Sequence, residues 1–217
     1  PDGTAAGQMT WYDYAGKPSG FNYVKGSQIL PSVIARVLPN NETSYTYTEY
    51  NVWGKPTTVK ESYTIPGQSA PGERVYSMTY SSDGLDMLYR YGPSSQLLES
   101  YTYNAAHQVT LASRYTDAQT AYSTGFGYDG YGRMTSMTNS VGIAVGYYYG
   151  TDGYLSRATN YSTGGYQDLT WQNGMVYSYR DQRGMVVTNS WDFLQRPTRI
   201  DYPDGTYRQF VYGMPGG

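Results

Sequence analysis

The chain has 217 residues, a formal net charge of -2 at pH 7 and no Cys, and it contains 28 Tyr and 26 Gly. Without Cys it can form neither a disulfide nor a thiolate site, and its scattered Lys and Arg give no basic patch for nucleic acid. No apolar run is long enough to encode a membrane-spanning helix. Abundant Tyr and Gly with few charged residues predict an all-β chain with many short strands.

The first part of the chain, residues 1–102, repeats irregularly. Two of its units begin with a Tyr, and in each a Gly-Lys pair starts four residues after that Tyr. We call the aromatic residue that begins a unit its opener. These units are Tyr12-Asp13 with Gly16-Lys17, and Tyr50-Asn51 with Gly54-Lys55. Loops rich in chain breakers are expected near residues 27–41 and 66–74. Only Gln28–Val37 and Asp86–Ser100 have a pattern that would also suit a helix.

The second part, residues 103–217, repeats regularly. Its openers are Tyr103, Tyr128, Tyr149, Trp171, Trp191 and Tyr212. By subtraction of residue numbers, the last five follow one another at intervals of 21, 22, 20 and 21 residues. A fixed period of this length indicates a repeat architecture, in which each unit is stabilised by stacking on its neighbours.

Within each unit, aromatic residues alternate with polar ones, as in Tyr147 and Tyr149 or Tyr177 and Tyr179, which places each pair on one face of a strand. Turns are predicted at four dipeptides whose residues both tolerate positive φ: Asp83-Gly84, Asp152-Gly153, Asn173-Gly174 and Asp204-Gly205. Each unit therefore holds about two strands and two turns. The predicted fold is all-β, with tandem β-hairpin repeats of about 21 residues in one long, curved antiparallel sheet.

The motif residues are expected to have structural roles. Turn glycines should supply positive φ, namely Gly16, Gly54, Gly132, Gly153, Gly174 and Gly205. Asp129 and Asp192 should accept hydrogen bonds from turn amides, and Arg133 and Arg196 should stack on neighbouring aromatic rings. The openers are expected to be cross-strand neighbours on adjacent strands.

The motif Tyr128-Asp129 with Gly132-Arg133-Met134-Thr135, followed by Gly142 and Tyr147–Tyr149, resembles the YD repeat, also called the RHS repeat. Trp191-Asp192 with Arg196-Pro197-Thr198 is a partial match. The resemblance implies a β-sheet strip that spirals into a hollow shell. In bacterial toxin complexes and polymorphic toxins, such shells enclose a C-terminal toxic domain, and in teneurins a similar shell belongs to a cell-surface adhesion protein.

This resemblance implies a secreted or cell-surface protein of bacterial origin. Its partners would be adjacent repeats and an enclosed cargo domain of the same polypeptide. Pro1-Asp2-Gly3-Thr4 repeats Pro203-Asp204-Gly205-Thr206, so we expect residues 1–217 to be one array and a fragment of a larger protein. The paired Asp-Pro motifs of self-cleaving members have no counterpart in this sequence, so neither autoproteolysis nor toxicity is carried over.

Catalysis is not expected. His107 is the only His and occupies a turn slot that Gly fills in sister units, so we expect it to be a plain turn residue. One His and no Cys provide too few ligands for zinc, and neither a metal nor a cofactor is predicted. Glycoside hydrolysis by paired acids is an unfavoured alternative, for which the candidates include Glu42, Glu49, Glu61, Glu73 and Glu99.

A recognition surface is the main alternative to a purely structural role. Trp171 and Trp191 occupy opener slots, whereas Trp11 precedes an opener and Trp53 lies in a turn. Trp11 and Trp53 are therefore the better candidates for an exposed site that binds a glycan or a protein receptor. Open sheet edges leave a third alternative, in which many copies assemble into an extracellular filament.

Overall fold

The computed structural model describes residues 9–17, 26–39, 42–65 and 70–213. These residues form β-strands joined by turns, and no helix capable of crossing a membrane occurs among them. The chain divides into two compact units, Pro1–Tyr122 and Ser123–Gly217. Strand alternation and frequent turn residues account for this all-β structure.

The described residues of the first unit form eight complete strands: β1 (Thr10–Asp13), β2 (Val33–Val37), β3 (Thr43–Tyr50), β4 (Pro56–Tyr63), β5 (Gly72–Tyr80), β6 (Met87–Tyr91), β7 (Leu97–Tyr103) and β8 (Val109–Tyr115). Each strand pairs antiparallel with the next one in sequence, from β1 through β8. The unit is therefore a simple meander, in which spatial order follows chain order.

The second unit begins within β9 (Ala121–Tyr128) and continues through β10 (Met134–Asn139), β11 (Ala144–Tyr149), β12 (Leu155–Asn160), β13 (Tyr166–Gln172), β14 (Met175–Arg180), β15 (Val186–Trp191), β16 (Pro197–Asp201) and β17 (Tyr207–Gln209). Each of these strands also pairs antiparallel with its successor. The period of about 21 residues corresponds to two strands and two turns, as the sequence predicts.

The structure corrects two expectations for the first half of the chain. The segment near 27–41, which was expected to be a loop, contains β2. The segment near 66–74 was also expected to be a loop, but its last residues belong to β5. Residues 66–69 of that segment lie outside the described ranges. Of the two segments that would also suit a helix, Gln28–Val37 contains strand β2, and Asp86–Ser100 contains β6 and the start of β7. The β-branched Val33, Ile34 and Val37 favour the extended conformation that β2 adopts.

The turn type also differs from the prediction at three of the four dipeptides. Asn173-Gly174 forms the expected tight turn, with φ of 53° and 78° and with Gln172 opposite Met175. At Asp83, Asp152 and Asp204 only the following Gly has a positive φ, with values of 79°, 85° and 82°. These loops are longer, and their left-handed Gly comes after the first residues of the turn, as in hairpins closed by a glycine bulge.

Few side chains are fully covered in this fold. Among the described residues, only Met78, Gly92, Ser113 and Gly146 are buried. Most strand residues are half-buried because a single sheet layer shields its side chains mainly with cross-strand neighbours. Stability therefore depends on contacts between successive hairpins rather than on a central core.

Candidate functional site: the opener ladder

Four openers of the second unit lie in the last two residues of a strand, beside a β-bulge where the pairing register shifts. The paired positions are Tyr128 with Met134, Tyr149 with Leu155, Trp171 with Val176, and Trp191 with Pro197. A bulge interrupts the regular backbone hydrogen bonds and increases the local twist. The carbonyl groups beside it then require other hydrogen-bond donors.

The next opener along the chain supplies such a donor. The Tyr149 hydroxyl donates to the Met134 carbonyl at 2.8 Å, and the Trp171 indole Nε1 donates to the Leu155 carbonyl at 2.7 Å. Trp191 and Tyr212 repeat the contact, with Val176 at 3.0 Å and Pro197 at 2.7 Å respectively. In each case the acceptor residue is the one that pairs with the preceding opener. We call this series of hydrogen bonds the opener ladder.

The ladder is also present in the first unit, despite its irregular sequence. Tyr80 donates to the Pro56 carbonyl at 2.8 Å, Tyr103 donates to the Met87 carbonyl at 2.9 Å, and Tyr50 donates to the Pro31 carbonyl at 3.0 Å. The sequence analysis did not identify Tyr80 as an opener. Its spacing of four residues from Gly84, which equals that of Tyr50 from Gly54, was the available signal.

The openers do not lie on adjacent strands, which corrects the sequence prediction. They end alternate strands, so a return strand lies between each opener and the next. The stacking partner of Trp171 is instead Tyr154, whose ring centroid is 4.8 Å away at an interplanar angle of 19°. The link between repeats is thus a polar contact combined with local ring packing, rather than a row of stacked openers.

The Asp and Arg of the motif connect each turn to the following opener. The Asp129 Oδ1 accepts from the Tyr131 and Arg133 amides at 2.9 and 3.0 Å, and its Oδ2 accepts from the Arg133 guanidinium at 2.7 Å. The same guanidinium lies 4.4 Å from the ring centroid of Tyr149. Both expectations for these residues are confirmed, and the cation–π contact adds a second link to the ladder.

Asp192 and Arg196 repeat this arrangement. The Asp192 Oδ1 accepts from the Leu194 and Arg196 amides at 2.9 Å each, its Oδ2 accepts from the Arg196 guanidinium, and that guanidinium lies 4.2 Å from the Tyr212 ring. The pKa of Asp192 is lowered, and the largest cause is the hydrogen bond from the Arg196 backbone N–H. Desolvation raises this pKa, but the hydrogen bonds from Arg196 outweigh it. For Asp129, desolvation is the largest influence and raises the pKa, but its combined hydrogen bonds leave the net shift downward.

His107 is a turn residue, as the sequence indicates. Its φ of 59° is the left-handed conformation that Gly54 and Gly132 adopt at the same slot. The structure adds a contact that the sequence did not reveal, because the His107 Nδ1 lies 2.8 Å from the Asp86 carboxylate. This hydrogen bond raises the pKa of His107.

The two exposed-Trp candidates have different environments. Trp53 donates from Nε1 to the Asp83 carbonyl at 2.7 Å, so it joins two turns of the first unit and borders a cavity of about 460 Å³ with Ile29 and Val52. Trp11 lies in β1, with Tyr12 and Asp13 beside it, and half of its surface is exposed. Gly16 has the expected positive φ of 79°, and Lys17 forms an ion pair with Asp13.

The acidic residues do not converge on a metal site. Among the described residues, no three His, Asp or Glu side chains lie close enough together to hold a metal ion. Glu99, one of the acid candidates, lies between Arg90 and Arg114 with N–O distances of 3.6 Å to each. This arrangement is a cross-strand ion triad, since Glu99 pairs with Arg90 on one side and Arg114 on the other.

No protein-family model and no curated protein matches this sequence. Solved structures, however, share its fold. A crystal structure of TcdB2-TccC3 and a Tc holotoxin pore of Photorhabdus luminescens that carries a TccC3 mutation are both similar, each with a TM-score of 0.57 and 13% sequence identity. Each similarity covers 89% of this chain and 12% of the other, so this chain matches a small part of a much longer protein.

Proposed function

We propose that this chain is a non-enzymatic segment of the wall of a large β-shell of the YD-repeat type, secreted or exposed at a bacterial cell surface. The opener ladder is the observation that carries this proposal. It connects successive hairpins through polar contacts, of which those made by Tyr149, Trp171 and Trp191 are half-buried, and an extendable wall requires such contacts.

The motif residues support a structural assignment. In two repeats of the second unit, the Asp orders its own turn and the Arg reaches the next opener. These are the positions that carry the resemblance to the YD repeat. Because Asp129, Arg133, Asp192 and Arg196 are engaged in such contacts, their side chains serve the fold rather than a reaction.

The cargo of the shell is proposed to be a domain of the same polypeptide. The similarity in fold to parts of TcdB2-TccC3 and of a Tc holotoxin pore supports a place within a large toxin-like assembly. A single-layer sheet with half-buried side chains on its strands is also suited to separating two compartments. A wall of this kind needs continuous backbone hydrogen bonding, which the pairing of successive strands supplies within each unit.

The test is electron cryo-microscopy of the intact polypeptide that contains this chain. We expect a hollow, closed particle with protein density inside it. A filament, or an open sheet with both faces in solvent, would refute the wall proposal. Light scattering of residues 1–217 over a range of concentrations separates the filament alternative, because filaments grow with concentration whereas a wall segment held in one chain does not.

A further inference from the structure

The sequence contains a single Asn-Gly pair, and it forms the two-residue loop between β13 and β14. Asn173 and Gly174 both have positive φ, and Gln172 pairs with Met175 directly before and after the loop. In a loop of this kind the flanking residues exchange the backbone hydrogen bonds, which leaves the two loop amides unpaired. Residues 172–174 are exposed. Water and hydroxide therefore reach the peptide bond between Asn173 and Gly174.

The amide of Gly174 differs from those of other turn glycines. The Gly132 amide donates to the Asp129 carbonyl at 3.0 Å, and this bond closes its turn. The Gly153 amide donates to the Gly150 carbonyl at the same distance. Within the described ranges, the Gly174 amide donates to no protein acceptor. Its nitrogen is therefore available as a nucleophile once it has lost its proton.

The carboxamide of Asn173 is also free, unlike those of other Asn in turns. The Asn51 Oδ1 accepts from the Trp53 and Lys55 amides at 3.0 Å each. Contacts of the same kind hold three more side chains: Asn104, Asn139 and Asn160. In the part of the chain that the structure describes, the Asn173 carboxamide has no hydrogen-bond partner. No contact has to break before this group turns towards the Gly174 nitrogen.

We propose that Asn173 is a site of spontaneous deamidation through a cyclic imide. The Gly174 nitrogen attacks the carbonyl carbon of the Asn173 side chain, a C–N bond forms, and the side-chain nitrogen leaves as ammonia. Hydroxide removes the proton of the Gly174 amide, and water protonates the leaving nitrogen and restores the hydroxide, so ring closure balances without an oxidant. Water then opens the ring at either carbonyl and yields aspartate or isoaspartate at position 173. Gly174 favours the attack because it has no Cβ to obstruct the approach.

The isoaspartate product weakens the fold beside one contact of the opener ladder. Its backbone passes through the side-chain carbon atoms, which inserts one methylene into a loop whose register Gln172 and Met175 set. A Cβ on Gly174 would lie 3.2 Å from the Tyr154 hydroxyl, so the loop packs against that side chain. The Tyr154 ring in turn stacks on the opener Trp171. This inference does not depend on whether the chain is part of a closed wall.

The experiment is incubation of the folded 217-residue chain at 37 °C, at pH 7 and at pH 9, with deamidated peptides mapped by mass spectrometry over time. We expect Asn173 to convert roughly tenfold or more faster than Asn51, whose side chain must first break two hydrogen bonds. The rate should rise with pH, because the attacking nitrogen must lose its proton. Isoaspartate should be detected with a protein isoaspartate methyltransferase. Asn173→Gly is the matched control, since Gly suits the positive φ of this position but has no carboxamide.

Two further measurements separate this reaction from a general loss of structure. Hydroxylamine, which cleaves a chain at a cyclic imide, should split the folded chain between residues 173 and 174 and leave Asn173→Gly intact. The Tm of the converted chain should be lower than that of the fresh chain by roughly 2–4 °C, whereas Asn173→Gly should keep its Tm after the same incubation.

The proposal is overturned if Asn173 converts no faster than Asn51, if it converts only after denaturation in urea, or if aspartate forms without isoaspartate. A converted chain with the Tm of the fresh one would show that the loop does not support the neighbouring ladder contact.

Discussion

Replacing Tyr149 by Phe isolates one hydrogen bond of the opener ladder. The substitution removes the hydroxyl that donates to the Met134 carbonyl at 2.8 Å, and it keeps the ring that packs against the Arg133 guanidinium. The half-buried carbonyl at the bulge then loses its donor, although solvent can replace part of the contact. A hydrogen bond of this kind contributes a net of about 1 kcal/mol, and an unsatisfied acceptor adds to the cost.

We therefore expect Tyr149→Phe to lower the free energy of unfolding by about 1–1.5 kcal/mol. For a chain of this length, that corresponds to a decrease in Tm of roughly 2–5 °C. The measurement is urea unfolding followed by circular dichroism, together with differential scanning calorimetry. The matched control is Tyr131→Phe, since Tyr131 also has its ring near Arg133, at 5.1 Å, but is almost fully exposed in the turn.

The control should change the free energy of unfolding by less than about 0.5 kcal/mol, as exposed substitutions usually do. If Tyr149→Phe were as neutral as Tyr131→Phe, the ladder hydrogen bond would make no net contribution to stability. The explanation of why the repeats retain Tyr and Trp at opener positions would then be wrong.

Three further predictions concern the turns. Gly132→Val should lower the free energy of unfolding in urea by about 1–3 kcal/mol, because φ at this position is 80° and a β-branched residue is strained there. The control is Gly130→Ala, which should have little effect because an added Cβ there meets no neighbouring atom. The hydrogen bond to Asp86 raises the pKa of His107, so its stabilising contribution should be complete below the unfolded value of about 6.5 and should decline as pH rises through the folded value. The Tm of the unmodified chain relative to His107→Asn should therefore fall as the pH rises above about 6.5, and a constant difference would refute this coupling. Asp192 has a lowered pKa, so Asp192→Asn should be less stable than the unmodified chain at pH 7, and unfolding curves of the two should converge as pH falls below the ordinary Asp value of about 3.8 and through the folded pKa.

The fold class and repeat length could be predicted from sequence because they depend on local signals. Alternating aromatic residues identify strands, and a Gly three or four residues after most openers identifies turns, without knowledge of distant contacts. Turn type was less predictable. Asp152-Gly153 and Asn173-Gly174 look equivalent in sequence, but the pairing register closes a longer loop at the first and a two-residue loop at the second.

The ladder itself was not predictable from the opener spacing. Its acceptors are backbone carbonyls, which every residue possesses, so no residue type marks them. The separation between donor and acceptor also varies, from 15 residues for Tyr149 and Met134 to 24 for Tyr80 and Pro56, because the intervening connection differs in length. Only the position of the bulge, which is a property of paired strands, identifies which carbonyl is available.

The ladder accounts for the most unusual feature of the composition. An opener must provide a large ring for packing and a hydrogen-bond donor at the end of that ring, and Tyr and Trp are the side chains that combine the two. Phe supplies the ring alone, and none of the 4 Phe in the chain occupies an opener position. Trp171 and Trp191 can therefore replace Tyr within the same ladder, with Nε1 in place of the hydroxyl. Each repeat of this fold needs a polar contact and a large apolar contact with its neighbour at the same position. One Tyr side chain provides both, which explains why Tyr recurs in a fold without a central core.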